Sequence, residues 1–307
     1  MSSVLASVDE RTNLAGQNRL EMLLFGLGTN QVYGINVFKI REVIRCPELS
    51  EVPGGSKNIR GISHLRGETV PIIDLAESIG RAPYTGNDGF VIVTEYNRNI
   101  QGFLVEKVDR IVNLNWSEIS PPPETLGTNH YLTGVVQLNQ ALVDIIDVEK
   151  VFAEISNIET DVSPTLKSTV TAEALSAITI LAVDDSSVAR NQVKKALEHL
   201  GFQVETAKDG QDALKQLTEK AEKLGDDFYT AMPLVVSDIE MPVMDGYTLT
   251  SEIRSRSELN KLHVVLHSSL SGQFNESMIR KVSADGFIAK FSPDDLSKKV
   301  LEILSIR

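Results

Sequence analysis

The spacing of apolar residues changes about halfway along the chain and predicts two kinds of structure. From residue 178 onward, short apolar runs alternate five times with segments of helical spacing, as in Ile178 to Val183 followed by Ser187 to Leu200. This alternation indicates an α/β domain with a doubly wound, five-stranded parallel sheet. Between residues 20 and 146 the apolar residues instead form short β-type runs separated by turn signals. That pattern predicts an all-β half built from one or two small barrels.

Three further segments complete the predicted organisation. In the first half, only Phe38 to Arg45 and Leu75 to Gly80 are predicted to form short helices. Residues 155–176 are rich in Ser, Thr, Glu and Asp, a composition typical of a flexible linker. The chain is therefore predicted to consist of a flexible N-terminal tail at 1–18, a β-rich domain at 19–154, a linker at 155–176 and an α/β domain at 177–307.

Charge, cysteine content and the length of the apolar runs exclude several classes of protein. The 307 residues have a net charge of −12, and both halves are acidic, so neither offers a basic face for nucleic acid. Cys46 is the only cysteine, which excludes an internal disulfide and fits a reducing compartment. No apolar run reaches the roughly 18 residues needed to span a bilayer, and the acidic N-terminus is unlike a signal peptide. We therefore expect a cytoplasmic protein with no direct membrane insertion.

Polar side chains follow four predicted strands of the α/β half at the point where each strand ends. Asp184 and Asp185 follow the first strand, Asp238 the third, Ser268 the fourth and Lys290 the fifth. Because the carboxyl ends of parallel strands meet at one edge, we expect these side chains to lie together. Clustered carboxylates require a hard cation such as Mg²⁺. Lys290 and Ser268 are the donors that a phosphoryl group on Asp238 would need.

The order and spacing of these residues resemble the receiver domain of two-component response regulators, over about residues 178–306. The resemblance implies that Asp238 accepts a phosphoryl group from the phosphohistidine of a kinase. It also implies a Mg²⁺ ion bound by Asp185, Asp238 and the backbone carbonyl of Glu240, with Asp184 beside them partly through water.

The resemblance implies roles for three more side chains. Lys290 would bind a phosphoryl oxygen, Ser268 would move towards another, and Phe287 matches the aromatic switch position. Each has an alternative: Lys290 as a salt-bridge partner of Asp238, Ser268 as a helix cap, and Phe287 as fixed core. Most receivers have proline after this lysine, whereas this chain has Phe291.

The two histidines of the fourth predicted strand, His263 and His267, are not expected to share a metal ion. Residues four apart on a strand are separated by about 13 Å, which is too far for one ion. Neither histidine is therefore predicted to be a ligand.

The first half resembles a second family. Residues 20–75 contain L-E-M-L-L-F-G-L-G, Y-G-I-N-V-F-K-I-R-E-V-I-R and I-R-G-I-S-H-L-R-G-E-T-V-P-I-I-D-L, and V-E-K-V-D-R-I-V, Y-L-T-G-V-V and D-V-E-K-V-F follow. These motifs are similar to the CheW-like coupling domain of bacterial chemotaxis, across about residues 20–154. The resemblance implies two small, five-stranded, SH3-like β-barrel subdomains. It also implies a scaffold that joins methyl-accepting chemoreceptors to the histidine kinase CheA.

Partner contacts of the first half are expected from grooves and exposed strand edges rather than from catalysis. Arg66 matches the functional arginine of the family, and its alternative is a solvated hairpin residue. Ile35 and Val37 face a possible partner groove. Since an alternating strand buries half of its side chains, the core is the alternative for these two.

A coupling domain followed by a receiver, with no output domain after it, is typical of a phosphorylation-regulated adaptor. We expect it to couple chemoreceptors to CheA in arrays at the inner membrane face, with Asp238 phosphorylation changing the docking. Self-phosphorylation and slow dephosphorylation are expected, but no enzymatic turnover. Two alternatives stay open: a receiver that only drains phosphate from the kinase, and a Mg²⁺-dependent phosphatase in which Glu240 supplies a second acid.

Overall fold

The computed structural model describes residues 19–86, 88–96, 99–127, 130–139, 141–156, 175–268, 282–289 and 293–305. Packing divides the chain into two compact units, one within residues 20–158 and one within residues 159–307. In these described ranges, no helix combines the length and the apolar character needed to cross a bilayer.

The first unit is built from β-sheets. Its described strands are β1 (Arg19–Gly26), β2 (Val32–Asn36), β3 (Ile40–Arg45), β4 (Ile59–Leu65), β5 (Glu68–Asp74), β6 (Phe90–Tyr96), β7 (Asn99–Val105), β8 (Lys107–Asn115), β9 (Ile119–Ser120), β10 (Leu132–Leu138) and β11 (Ala141–Ile146). They form two sheets, ordered β8-β1-β2-β11-β10-β9 and β3-β6-β7-β5-β4. The predicted all-β half is thus confirmed. One sheet has six strands rather than the implied five because the two-residue β9 pairs with β10.

The predicted helix from Phe38 to Arg45 is wrong. A short 3₁₀ turn covers only Val37–Lys39, and β3 then pairs antiparallel with β6. Successive side chains of β3 alternate between half-buried and exposed, which is the period-two pattern of a strand. Isoleucine and valine occupy three of its six positions, and their branched side chains favour the extended conformation.

Aromatic side chains fill the core of this unit. Phe25 and Tyr33 stack across the β1–β2 pair with their ring centroids 5.8 Å apart. Helix α1 (Leu75–Ser78) is present where a short helix was predicted, and α2 (Val148–Ser156) follows β11. Phe152 of α2 meets the Tyr96 ring edge-on at 6.3 Å, which fastens α2 to the sheet that contains β6.

The second unit is a parallel sheet with helices on both faces, as predicted. Its strand order is β13-β12-β14-β15-β16, and every adjacent pair is parallel. Alternate residues of the strands pack into two separate buried clusters, one on each face. The elements are β12 (Thr179–Val183), α3 (Ser187–Leu200), β13 (Gln203–Ala207), α4 (Gly210–Leu224), α5 (Phe228–Ala231), β14 (Leu234–Asp238), α6 (Gly246–Ser255), β15 (His263–Ser268), β16 (Gly286–Ala289) and α7 (Pro293–Ile303).

Local capping explains why α3 has the predicted limits. The Ser186 side chain accepts a hydrogen bond from the Ala189 N–H at the start of the helix. Gly201 ends the helix in the left-handed conformation, with φ of 109°. The short α5 was not predicted, and the helix predicted from Glu276 to Val282 lies almost entirely outside the described residues.

Candidate functional site

Asp238 ends the central strand of the parallel sheet. All five residues of β14 are buried, and Asp238 itself is only 1% exposed. The N–H of Ile239 donates to Asp238 Oδ1 at 2.8 Å, so the backbone fixes the orientation of the carboxylate. The site therefore begins with a buried, oriented acid at the sheet edge where the sequence predicted it.

Strand register brings a second acid beside Asp238. Val183 pairs with Ser237, so the residue after each, Asp184 and Asp238, leaves the sheet at the same level. Asp184 is 1% exposed, and its Oδ1 accepts the Ser186 N–H at 2.9 Å. Arg190 Nη1 donates to the Asp184 carbonyl oxygen at 2.5 Å and holds the loop between β12 and α3 in place. Asp185, the other predicted acid, is half-buried in the same loop.

A histidine that was not predicted completes this cluster. His267 pairs with Asp238 across β14 and β15 and is 3% exposed. Carboxylate oxygens of Asp184 and Asp238 and an imidazole nitrogen of His267 all lie within 4.8 Å of one another. Nε2 of His267 lies 3.7 Å from Asp184 Oδ2. His263, at the other end of β15, instead lies 3.5 Å from Asp285.

The predicted switch hydroxyl is bonded to an acid in the loop after β14. Ser268 is fully buried, and its Oγ donates to Glu240 Oε1 at 3.1 Å. Glu240 is 7% exposed, so this hydrogen bond lies in a poorly hydrated environment. The receiver resemblance had given a role only to the backbone carbonyl of Glu240, and the phosphatase alternative had used its side chain as a second acid. The hydrogen bond from Ser268 to that side chain was not predicted.

Close backbone packing fixes the loop that carries Glu240. The Gly246 N–H donates to the Ile239 carbonyl at 2.9 Å, and a Cβ on Gly246 would lie 2.2 Å from the Asp238 carbonyl oxygen. Only glycine therefore permits this approach of α6 to β14. Asp245 caps α6 by accepting the Thr248 N–H at 2.6 Å, and burial raises the pKa of its carboxyl group to about 6.

The remaining receiver predictions are placed in part. Phe287 is half-buried on β16, pairs with Leu266 of β15 and packs against the core on one face of the sheet. Lys290 and Phe291 lie outside the described residues.

In the β-rich unit, Arg66 occupies the predicted hairpin turn, with a φ of 50°. Its Nε and Nη2 atoms donate to both carboxylate oxygens of Glu42, at 2.8 and 2.7 Å, which lowers the pKa of Glu42. The Arg66 side chain is nevertheless 76% exposed. Ile35 and Val37 are buried in the core, as the packing alternative expects, and offer a partner little surface.

The acids at the receiver edge suit a divalent cation. Asp184, Asp238 and Glu240 are each less than a tenth exposed, and burial disfavours the ionised form of a carboxylate unless positive charge lies nearby. Mg²⁺ binds a small number of carboxylate and carbonyl oxygens and keeps several waters. The carboxylates of Asp184 and Asp238 therefore suit Mg²⁺, and the receiver resemblance adds Asp185 and the Glu240 carbonyl as expected donors.

Comparisons with known proteins agree with this geometry. The family model described as "CheW-like domain" matches residues 21–156, and the model described as "Response regulator receiver domain" matches residues 180–301. The fold and site thus define a coupling-type domain joined to a receiver, as the sequence predicted. The chemotaxis protein CheV3 of Helicobacter pylori is 30% identical over 287 residues, which cover 91% of this chain and 90% of that protein. The chain belongs to the CheV family of chemotaxis proteins.

Two other relatives match one or both units. CheW of Klebsiella aerogenes is 31% identical over 154 residues, which cover 48% of this chain and 92% of that protein. The sensor histidine kinase CheAY of Helicobacter pylori is 25% identical over 262 residues, which cover 81% of this chain and 30% of that kinase. A CheW-like unit therefore accounts for nearly the whole of one relative and for about half of this chain.

Proposed function

We propose that this protein is a chemotaxis adaptor that couples chemoreceptors to the histidine kinase CheA, and that phosphorylation of Asp238 regulates the coupling. The observation that carries the proposal is the buried, oriented carboxylate of Asp238 at the carboxyl edge of a receiver sheet. Membership of the CheV family and the CheW-like match support the adaptor half. The match to a sensor histidine kinase supports a kinase partner.

Asp238 has the position of a phosphoryl acceptor. The hydrogen bond from Ile239 N–H at 2.8 Å sets the carboxylate orientation before a donor arrives. In the proposed step, an Asp238 oxygen bonds to the phosphorus of a phosphohistidine and the P–N bond breaks. The imidazole nitrogen keeps that electron pair. Bound Mg²⁺ would neutralise charge on the phosphoryl oxygens, and Asp184, Asp185, Asp238 and the Glu240 carbonyl would hold it.

Ser268 is the proposed responder to phosphorylation. Its hydroxyl has one proton to donate and now donates it to Glu240 at 3.1 Å. A phosphoryl group on Asp238 would compete for that proton. A change in the hydrogen bonding of Ser268 would be transmitted to Phe287, because the strand of Phe287 pairs with the strand of Ser268. Lys290 is proposed from the sequence to bind a second phosphoryl oxygen. The phosphatase alternative is not favoured, because the Glu240 carboxylate is already engaged by Ser268.

Arg66 is the proposed contact of the coupling unit. Its two hydrogen bonds to Glu42 restrict the guanidinium to one orientation while most of the side chain stays exposed. An ordered, exposed cation loses little conformational entropy when a partner carboxylate or carbonyl binds it. This suits an adaptor that recognises protein surfaces.

Co-sedimentation tests the proposal. The full-length protein is mixed with receptor-containing membranes and CheA, with and without beryllofluoride as a phosphoryl mimic. Beryllofluoride should change the sedimented fraction of the wild type, with an affinity change of about fivefold, and should not affect Asp238→Asn. Equal binding of the wild type in both conditions would leave the receiver only a phosphate-draining role. No sedimentation in either condition would overturn the adaptor proposal.

A further inference from the structure

The imidazole of His267 lies in the acidic cluster, yet the phosphoryl-transfer chemistry described above makes no use of it. Register places it there: Asp238 pairs with His267, and Asp184 follows the residue that pairs with Ser237. All three side chains are buried, with exposures of 1%, 1% and 3% for Asp184, Asp238 and His267. The last residue of β14, the fifth residue of β15 and the first residue after β12 thus bring two carboxylate donors and one nitrogen together.

The distances within the cluster limit the roles open to the histidine. Nε2 of His267 lies 3.7 Å from Asp184 Oδ2, which is longer than a hydrogen bond between nitrogen and oxygen. Two donor atoms that share an ion at about 2.1 Å each can be as much as about 4.2 Å apart. The recorded separation falls inside that limit. The contact fits two ligands of one cation, and it also fits an ion pair between a protonated imidazole and the carboxylate; the metal titration below distinguishes the two.

We propose that His267 is a metal ligand and that this site binds a first-row transition ion, such as Mn²⁺, more tightly than Mg²⁺. Mg²⁺ is served by oxygen donors alone, whereas imidazole nitrogen favours transition ions. The proposal rests on the metal site of the proposed function and adds a nitrogen donor and an ion preference to it.

Metal titration of the full-length protein tests whether His267 is a metal ligand. Wild type, His267→Gln and the control His263→Gln are titrated with MnCl₂ and MgCl₂ by calorimetry. His267→Gln should lower Mn²⁺ affinity about tenfold and change Mg²⁺ affinity much less, and His263→Gln should change neither. Equal losses for both ions, or no loss for Mn²⁺, would overturn the proposal.

A spectroscopic measurement covers the case in which His267→Gln fails to fold. Pulsed electron paramagnetic resonance of Mn²⁺ bound to the wild type should show nitrogen coupling from one directly bound imidazole, and Asp238→Asn should lose that signal. Bound Mn²⁺ without nitrogen coupling would overturn the role of His267.

Phosphorylation with acetyl phosphate in Mg²⁺ is measured in parallel on the wild type and on Asp238→Asn. If Asp238 is phosphorylated but bound Mn²⁺ shows no nitrogen coupling, only the proposal that His267 is a metal ligand is refuted. If bound Mn²⁺ shows nitrogen coupling but Asp238 is not phosphorylated, the proposed function is refuted and the proposal that His267 is a metal ligand is supported.

Discussion

The hydroxyl of Ser268 donates a hydrogen bond to the carboxylate of Glu240 across 3.1 Å, at the edge of the receiver sheet. Both residues follow or end neighbouring strands, and both are nearly inaccessible to water. A hydrogen bond to a charged acceptor contributes about 1.5–3 kcal/mol, against about 0.5–1.5 kcal/mol for a neutral pair. Glu240 therefore stabilises the arrangement in which Ser268 donates its proton to Glu240 rather than to a phosphoryl group on Asp238.

Replacing Glu240 by glutamine should favour the phosphorylated arrangement. The substitution keeps the backbone carbonyl but makes the acceptor of the Ser268 proton neutral. The hydrogen bond that competes with a phosphoryl group for this proton is then weaker by about 1 kcal/mol. Beryllofluoride should then bind the full-length protein about fivefold more tightly in a calorimetric titration. Glu222→Gln, which removes an exposed acid of α4, is the matched control and should leave the affinity unchanged. Weaker binding by Glu240→Gln would refute the competition.

Asp245 should make the receiver unit less stable as pH rises through the acidic range. Burial raises the pKa of its carboxyl group to about 6, and among the described residues its Oδ2 atom has no hydrogen-bond partner. In the unfolded chain this carboxyl group titrates near pKa ~3.9, so the folded state binds more protons between these values. Its contribution to stability is therefore largest below about pH 4 and declines until about pH 6.

Asp245→Asn isolates this effect because asparagine also caps helices well. We expect the variant to gain stability relative to the wild type as pH increases from 4 to 7, by on the order of 2 kcal/mol. Urea unfolding of the full-length protein, followed by circular dichroism at several pH values, measures the difference. A difference that does not vary with pH would show that Asp245 is ionised throughout.

Reversing the charge of Arg66 should weaken binding to receptors and CheA without much loss of stability. The Arg66 side chain is 76% exposed, and ion pairs of exposed side chains contribute little to stability. Arg66→Glu should therefore change the melting temperature by no more than a few degrees. Co-sedimentation with receptor membranes and CheA should nevertheless fall about tenfold, as expected when a central arginine contact is lost.

Arg110→Glu, which reverses another exposed arginine of the β-rich unit, serves as the control and should sediment like the wild type. If both variants lose binding equally, general electrostatic attraction rather than a contact by Arg66 explains the loss. If neither loses binding, Arg66 is the solvated hairpin residue of the alternative interpretation.

Features set by local signals could be predicted from the sequence. Helix α3 has its predicted limits because a serine caps its start and Gly201 ends it in the left-handed conformation. Asp184 and Asp238 could be placed at one edge because parallel strands share a direction. The segment from Phe38 was mispredicted because its apolar residues at 40, 43 and 44 have helical spacing, whereas pairing with β6 places Ile40 and Ile44 on one face and leaves Val43 exposed.

Features that depend on pairing between strands could not be found in the same way. His267 joins the acids because the register of β14 and β15 sets it opposite Asp238, and single-strand spacing carries no information about register. The contact between Glu240 and Ser268 joins side chains 28 residues apart. It depends on how the loop after β14 packs, which is fixed by the close approach of Gly246 to the Asp238 carbonyl.

Phosphoryl transfer from phosphorylated CheA to the full-length protein tests the central claim most directly. In Mg²⁺, we expect the label to appear on the peptide that contains Asp238, as located by mass spectrometry after reductive trapping of the acyl phosphate. Asp238→Asn should lose the label, whereas Asp226→Asn, which alters an exposed acid of the same unit, should keep it. A label that persists in Asp238→Asn, or that maps to another peptide in the wild type, would contradict the account.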